Sequence, residues 1–285
     1  MTPTESILNF PYAYGLILAA AIGAITAATI YHFLRKTRAK VAQLVSERDT
    51  KEKLIEEMRK LEKFRRDFIS NLTHEIRTPL TGILGAVELL SDEEPLNDSD
   101  RIAMLKVLKN ESIRLDKLAQ DILALARIEH TTDEAKRAFA ICDISDVIKN
   151  VFTLMKPKTA AAGIGLILLK NESVKTACDA HLIEEAILNL IENAIRYSNS
   201  LTIELSLESV GGRAKITVSD KGVGIDKKHL PRLFERFYRV DKARSREQGG
   251  TGLGLAIVKH IAQLHEGEVS VTSNLGEGCT FTIFI

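Results

Sequence analysis

The sequence predicts a multidomain membrane protein: a transmembrane helix, a helical hairpin that dimerises into a four-helix bundle, and an α+β sandwich. Three observations predict it. Residues 12–34 form an uncharged run (His32 taken as neutral) long enough to cross a bilayer. Apolar residues then recur at three- and four-residue steps as far as Ile128. Beyond Phe139 short alternating strands come as hairpins with helices between them, which points to helices on one face of a mostly antiparallel sheet.

In order, residues 1–11 are a short N-terminus without Lys or Arg, too short for a folded sensor, and 12–34 are the membrane span. A secretory signal peptide is the competing reading. It would begin with a basic segment, whereas here Arg35, Lys36, Arg38 and Lys40 follow the run. The positive-inside rule then puts residues 1–11 outside a membrane crossed once, with everything after Leu34 in the cytoplasm. Tyr12, Tyr14 and Tyr31 suit the interfaces, and Ala19, Gly23 and Ala27 allow close helix contact.

Residues 35–63 read as a charged, coiled-coil-like signalling helix in which Leu54, Met58, Leu61, Phe64, Phe68 and Leu72 step as a seam. Residues 64–130 form the hairpin. Its first helix carries a stripe of Leu72, Ile76, Leu80, Ile83, Val87 and Leu90; a turn follows around Pro95 and Asn97, and a second helix spans about Asp100 to Ile128. Two amphipathic helices leave apolar surface open unless a second copy covers it, so a homodimer is expected. Residues 131–138 read as a linker and 139–285 as the last domain. Ser145 is placed as one helix cap and Asp179 as another, with a further helix from Gly254 to His265. Cys142, Cys178 and Cys279 match no zinc or redox spacing and suggest a reducing compartment. A net charge of +1 gives no reason to expect nucleic acid as a partner.

Four stretches look chemical. His74 points away from the apolar stripe, where an unburied imidazole can act as a nucleophile; Glu75 follows it, and Thr78 shares its face one turn on. Pro79 removes the partner of the Glu75 carbonyl and should bend the helix beside the pair. Asn189 and Asn193, one helical turn apart with Arg196 and Tyr197 beyond them, suit a hard cation and phosphate. Asp220, at a strand end before Gly222 and Gly224, can accept a hydrogen bond from an amino group such as that of adenine. The run Gly249–Leu255, with Gly250, Thr251, Gly252, Leu253 and Gly254, opens a helix whose free N–H groups suit phosphate, yet matches neither the P-loop nor the Rossmann fingerprint. Between the last two stretches, Arg236–Gln248 reads as a lid over a nucleotide.

With these residues in view, the chain from about Leu61 to Ile285 resembles a bacterial sensor histidine kinase. F-I-S-N-L-T-H-E-I-R-T-P-L resembles the H box and L-N-L-I-E-N-A-I-R-Y-S the N box. S-D-K-G-V-G-I is similar to the first glycine box, L-F-E-R-F-Y-R to the F box, and G-G-T-G-L-G-L-A-I-V-K-H to the second glycine box. The resemblance implies a dimerisation and phosphotransfer hairpin followed by a Bergerat-type ATP-binding domain, with ATP and Mg²⁺ as cofactors and a cognate response regulator as partner. It implies that His74 is phosphorylated, that Glu75 is its acid/base partner, and that Thr78 orients the water that dephosphorylates the regulator. It further implies that Asn193 holds Mg²⁺ with Asn189 in support and that Arg196 and Tyr197 contact phosphate and nucleotide. Asp220 would read adenine, Gly222, Gly224, Gly250, Gly252 and Gly254 would shape pocket and lid, and Arg239 would approach the γ-phosphate.

Lys221 stands where the family usually has Asn, and Arg196 where Lys is common. No PAS or HAMP module fits between Leu34 and Phe64, so the stimulus would arrive through the membrane, through a membrane-embedded sensory partner or from the cytoplasm. The core most resembles the subgroup that includes phosphate-responsive sensors. Two other readings stand beside this one: an ATPase of the same fold without a phosphohistidine, and a membrane-anchored scaffold with a degenerate nucleotide site.

Overall fold

The computed structural model describes residues 10–92, 96–129, 139–241 and 249–285. The expected external segment (apart from Phe10 and Pro11), the linker at 131–138 and residues 242–248 of the expected lid at 236–248 therefore lie outside the described residues. The chain divides into two compact units, Met1–Asp67 and Phe68–Ile285.

The first unit is helical, the N-terminal part of α1 (Phe10–Leu90). At 1.5 Å per residue, 12–34 extends about 35 Å, enough for a hydrocarbon core of about 30 Å. The side chains from Tyr14 to Leu34 are exposed, as a lipid-facing surface would be. Thr26 and Thr29 turn their hydroxyls back onto the carbonyls of Ile22 and Ile25, at 3.0 and 2.8 Å, which satisfies them inside the helix. Further on, exposed pairs such as Arg48–Glu52 at 3.1 Å support a solvated helix.

The second unit begins at Phe68. Here α1 continues through Pro79 to Leu90, so the bend expected at the proline does not end the helix. α2 (Asp98–Glu129) starts earlier than Asp100, because Asn97 is a helix cap rather than mere turn punctuation: its Oδ1 accepts from the Asp100 N–H at 2.8 Å. The stripe expected to be buried is open in a single chain, with Ile76, Leu80 and Val87 exposed. Ala86 of the first helix is buried, and at the far end of α2 Leu118, Leu125 and Ile128 join the core of the α+β domain.

That domain runs β1 (Ala140–Asp143), α3 (Ile144–Ala161), β2 (Gly165–Asn171), β3 (Lys175–Cys178), α4 (Ala180–Tyr197), β4 (Thr202–Val210), β5 (Arg213–Asp220), α5 (Gly254–Leu264), β6 (Glu268–Asn274) and β7 (Gly278–Phe284). Its five-stranded sheet has the order β2-β4-β5-β7-β6, parallel between β2 and β4 and antiparallel elsewhere. Alternation builds the core: Ile203, Leu205 and Leu207 of β4 and Ala214, Ile216 and Val218 of β5 are buried. They share one core with Ile148 of α3, Ile187 and Leu190 of α4 and Ile257 and Ile261 of α5.

Two expectations are corrected. α3 is capped by Asp143, not Ser145: the Asp143 carboxylate accepts from the Ser145 N–H at 2.9 Å, and Ser145 is inside the helix. Asp179 caps α4 as expected, accepting from His181 and Leu182 N–H at 3.0 and 3.2 Å. The cysteines are not all free. β1 and β3, too short for a legible alternation, pair antiparallel in a separate two-stranded ribbon that links Cys142 to Cys178 in a disulfide; Cys279 is free and buried.

Candidate active site

The nucleotide-site candidates converge on one cavity of about 240 Å³. α4 supplies Asn189, Asn193, Arg196 and Tyr197, one face of a single helix oriented by its Asp179 cap. β5 supplies Asp220, and the loop into α5 supplies Gly250, Thr251, Gly252 and Gly254, with Gly224 and Arg239 completing the wall.

Asp220 continues the inward phase of Ala214, Ile216 and Val218, so its carboxylate is delivered to the buried face at the strand end. Burial pushes its pKa up, and the N–H groups of Gly222 and Cys279 act against this. The Gly222 N–H donates to Oδ1 at 2.9 Å, and the carboxylate, which lines the cavity, keeps acceptor capacity suited to an amino group on a flat base.

Asn193 brings an unpaired polar group to the cavity. Its Nδ2 is buried and has no hydrogen-bond partner, although the side chain lines the cavity. A buried amide left unpaired costs about 1–3 kcal/mol unless something occupies the site. The neighbouring Asn189 is tied down through Nδ2 to the Glu185 carbonyl at 3.1 Å. These groups fit Mg·ATP: the unpaired Asn193 Nδ2 can donate to a phosphate oxygen, the hard amide oxygen of the same side chain suits the cation, and the apolar slot with an acceptor suits the base.

Arg196 serves the lid as well as the cavity, since its Nη1 donates to the Gly249 carbonyl at 2.9 Å. Gly222 and Leu253 do not line the cavity; both act through packing. A Cβ on Gly222 would lie 1.9 Å from the Ser198 carbonyl oxygen, and Leu253 is fully buried at the N-cap of α5.

His74 and Thr78 lie elsewhere, in a shallow groove with Arg77, Thr81 and Gly82. Thr78 Oγ1 donates to the His74 carbonyl at 3.2 Å. Glu75 faces the α+β domain: its Oε2 accepts from Arg239 Nη2 at 2.8 Å and from Arg114 Nη2 at 3.2 Å. Arg239 is only 4% exposed. An ion pair therefore joins the wall of the cavity to the residue beside His74.

Four further contacts join the hairpin to the α+β domain. Thr251 Oγ1 donates to Asp121 Oδ2 at 2.5 Å, with both residues buried. Arg236 pairs with Glu129 at the end of α2 and lies over the Phe68 ring, its guanidinium 5.4 Å from the centroid. Phe68 also meets Phe237 at 5.7 Å, and Phe237 is held at φ +62°, a left-handed conformation costly for a bulky residue. Asp121 and Lys117, joined at 3.1 Å, line the nucleotide cavity although they belong to the hairpin. Sequence reasoning missed both. The available signal was an acid on an apolar stripe, since Leu118, Asp121, Leu125 and Ile128 step by three and four.

Fold and site together define a phospho-acceptor helical hairpin joined to a nucleotide-binding domain. Residues 64–131 match the His Kinase A (phospho-acceptor) domain, and residues 178–285 match the histidine kinase-, DNA gyrase B-, and HSP90-like ATPase family. The chain belongs to the sensor histidine kinases. It is 37% identical over 229 residues to the sensor-like histidine kinase SenX3 of Mycolicibacterium smegmatis, covering 79% of this chain and 58% of that protein. It is 35% identical over 225 residues to the phosphate regulon sensor protein PhoR of Pseudomonas aeruginosa, covering 78% of this chain and 50% of that one. The histidine kinase AdeS of Acinetobacter baumannii superposes with a TM-score of 0.58 at 28% identity, over 74% of this chain and 96% of that one. The chain thus spans between half and three-fifths of the length of these two curated relatives.

Proposed function

We propose that this protein is a membrane-anchored sensor histidine kinase of a two-component system, which phosphorylates His74 from ATP and passes the phosphoryl group to an aspartate of a response regulator. The observation that carries the reading is the Arg239–Glu75 pair, which connects the nucleotide cavity to the His74 helix. In the reaction a ring nitrogen of His74 attacks the γ-phosphorus and the bond to the bridging oxygen breaks. ADP leaves with that electron pair, and the other ring nitrogen gives its proton to Glu75. Positioning and charge neutralisation do most of the work in such a transfer. Asn193, supported by Asn189, would hold Mg²⁺, which when bound neutralises phosphate charge. Arg239 would meet the γ-phosphate, Asp220 the adenine amino group, and Arg196 would hold the glycine lid through Gly249.

In the docked arrangement Arg239 pairs with Glu75 and His74 opens into a different groove, so we read this conformation as one in which transfer is held off. The groove of His74, Arg77, Thr78, Thr81 and Gly82 would receive the regulator's aspartate, with Thr78 orienting water for dephosphorylation. A second copy would cover Ile76, Leu80, Leu84 and Val87 and complete a four-helix bundle. Residues 12–34 would cross the bacterial inner membrane once, with the catalytic part in the cytoplasm and input from a membrane-embedded sensory partner. The likeness to a phosphate regulon sensor protein supports a place in the phosphate-responsive subgroup.

The test is to incubate the full chain with [γ-³²P]ATP and Mg²⁺. Acid-labile, base-stable label that disappears in His74→Ala is expected. Label that survives in His74→Ala, or ATP hydrolysis without any protein label, refutes the reading.

A further inference from the structure

The Cys142–Cys178 pair lies away from the nucleotide cavity and takes no part in the chemistry proposed above. We infer that it is a reversible thiol–disulfide switch, a modification site whose substrate is a small-molecule disulfide and whose closure fastens the start of the α+β domain to the start of α4.

The position of the two cysteines carries this. β1 is the first element of the domain, and β3 ends at Cys178, directly before Asp179, the cap of the helix that bears Asn189, Asn193 and Arg196. The ribbon is small and separate from the main sheet; its register pairs Cys142 with Thr176 and Ala140 with Cys178, a diagonal that brings the Cα atoms to 6.4 Å. The two residues that flank one end of the ribbon, Phe139 and Asp179, converge on one side chain. Phe139 stacks on His265 at 4.9 Å, and His265 Nε2 accepts from the Asp179 N–H at 3.0 Å. Loosening the ribbon therefore acts on the cap of α4.

The two thiols differ in access. Cys142 is half-buried, whereas Cys178 is 3% exposed. An oxidant reaches Cys142 first. Its thiolate attacks the disulfide RSSR, forming Cys142–S–S–R and releasing one RS⁻. The Cys178 thiolate then attacks the Cys142 sulfur, forming the internal disulfide and releasing the second RS⁻. Two protein thiols are oxidised, RSSR is reduced to two RSH, and the two cysteine protons end on the leaving thiols. Cys279 is a built-in control: it is buried, hydrogen-bonded to Ser273, and burial pushes its thiol pKa up. Reversibility rests on the proposed cytoplasmic placement, where a disulfide that persists against cellular thiols is uncommon and those present are mostly redox-sensing or catalytic.

The test uses the full chain in detergent, exposed to glutathione disulfide or to dithiothreitol, with thiol counting, peptide mapping and melting with and without Mg·AMPPNP. Oxidation is expected to consume two thiols, yield a 142–178 cross-linked peptide and raise the melting temperature by about 10 °C, as suits a loop of separation 36. Dithiothreitol should reverse all three under native conditions. Nucleotide affinity should differ about fivefold or more between the two states and be independent of redox state in Cys142→Ser and Cys178→Ser. Four results overturn the inference: no 142–178 peptide, a bond that native dithiothreitol leaves closed, the same melting shift in Cys142→Ser, or equal nucleotide affinity in both states. None of these readouts depends on phosphorylation, so a failure of the kinase reading would show itself separately.

Discussion

Replacing Phe68 by Ala tests whether docking of the α+β domain on the hairpin restrains phosphoryl transfer. The Phe68 ring is tilted 40° to Phe237 at 5.7 Å and carries the Arg236 guanidinium at 5.4 Å. Such an aromatic pair contributes about 0.5–1.5 kcal/mol beyond its area. The guanidinium adds about 0.5–1 kcal/mol, and the lost burial of a half-covered ring about 1–1.5 kcal/mol. These terms share atoms and do not fully add, so the docked state should lose about 2–3 kcal/mol, a shift of roughly 30- to 150-fold toward the undocked state. Phe68 does not line the nucleotide cavity, so Mg·ATP affinity should change little. The assay is the initial rate of His74 labelling at saturating ATP, with circular dichroism and nucleotide binding as controls. A rise of about tenfold or more is expected. A folded, nucleotide-binding Phe68→Ala protein that labels at the wild-type rate or more slowly would refute the restraint.

The other expectations concern the cavity and the core. Asn193→Ala should weaken Mg·ATP binding roughly 10- to 150-fold, as fits the loss of one bond to a charged group, yet shift the melting temperature little, because its Nδ2 has no protein partner to lose. Calorimetric titration with Mg·ATP checks both parts. Gly224→Ala should destabilise the domain by about 3 kcal/mol or more, because φ is +67° and a Cβ would lie 2.0 Å from the Asn274 carbonyl oxygen. Denaturant melts should show a lower midpoint, and a wild-type midpoint would contradict the geometry. Burial lowers the pKa of His265, and burial together with Arg236 lowers that of His260. The unfolded chain therefore takes up protons first, so stability should be full above the usual 6.5 and fall as pH drops below it toward the lowered folded values. Melts between pH 8 and pH 5 check this, and His265→Gln should flatten part of the slope. A slope of the opposite sign would refute the assignment of buried, neutral rings.

Much of this molecule is local in origin and was legible for that reason. The run from 12 to 34 needs only length and the absence of charge. The Asp179 cap, the period of α4 and the alternation of β5 place Asn189, Asn193 and Asp220 without knowledge of any other element. Local rules also misled. Ser145 and Asp143 are both acceptable caps, and Asp143 prevails because Ser173 Oγ and the Val174 N–H, distant in sequence, also donate to its carboxylate. The Cys142–Cys178 pair was illegible because four-residue strands carry too short a pattern to reveal that they are neighbours.

The association of hairpin and lid lies at the other extreme. In the sequence Asp121 is an unremarked acid and Glu75 is simply the residue after His74. Only the folded chain turns Asp121 toward Thr251 and Glu75 toward Arg239, across separations of 130 and 164 residues. Periodicity specifies which face of a helix is apolar, and motif spacing specifies which groups share a turn. Neither specifies which distant surface that face will meet, because that choice depends on the summed burial and charge of two elements far apart in sequence. The face that His74 presents is therefore written in its own helix, and the partner of Glu75 is written in the packing of a domain that begins more than sixty residues later.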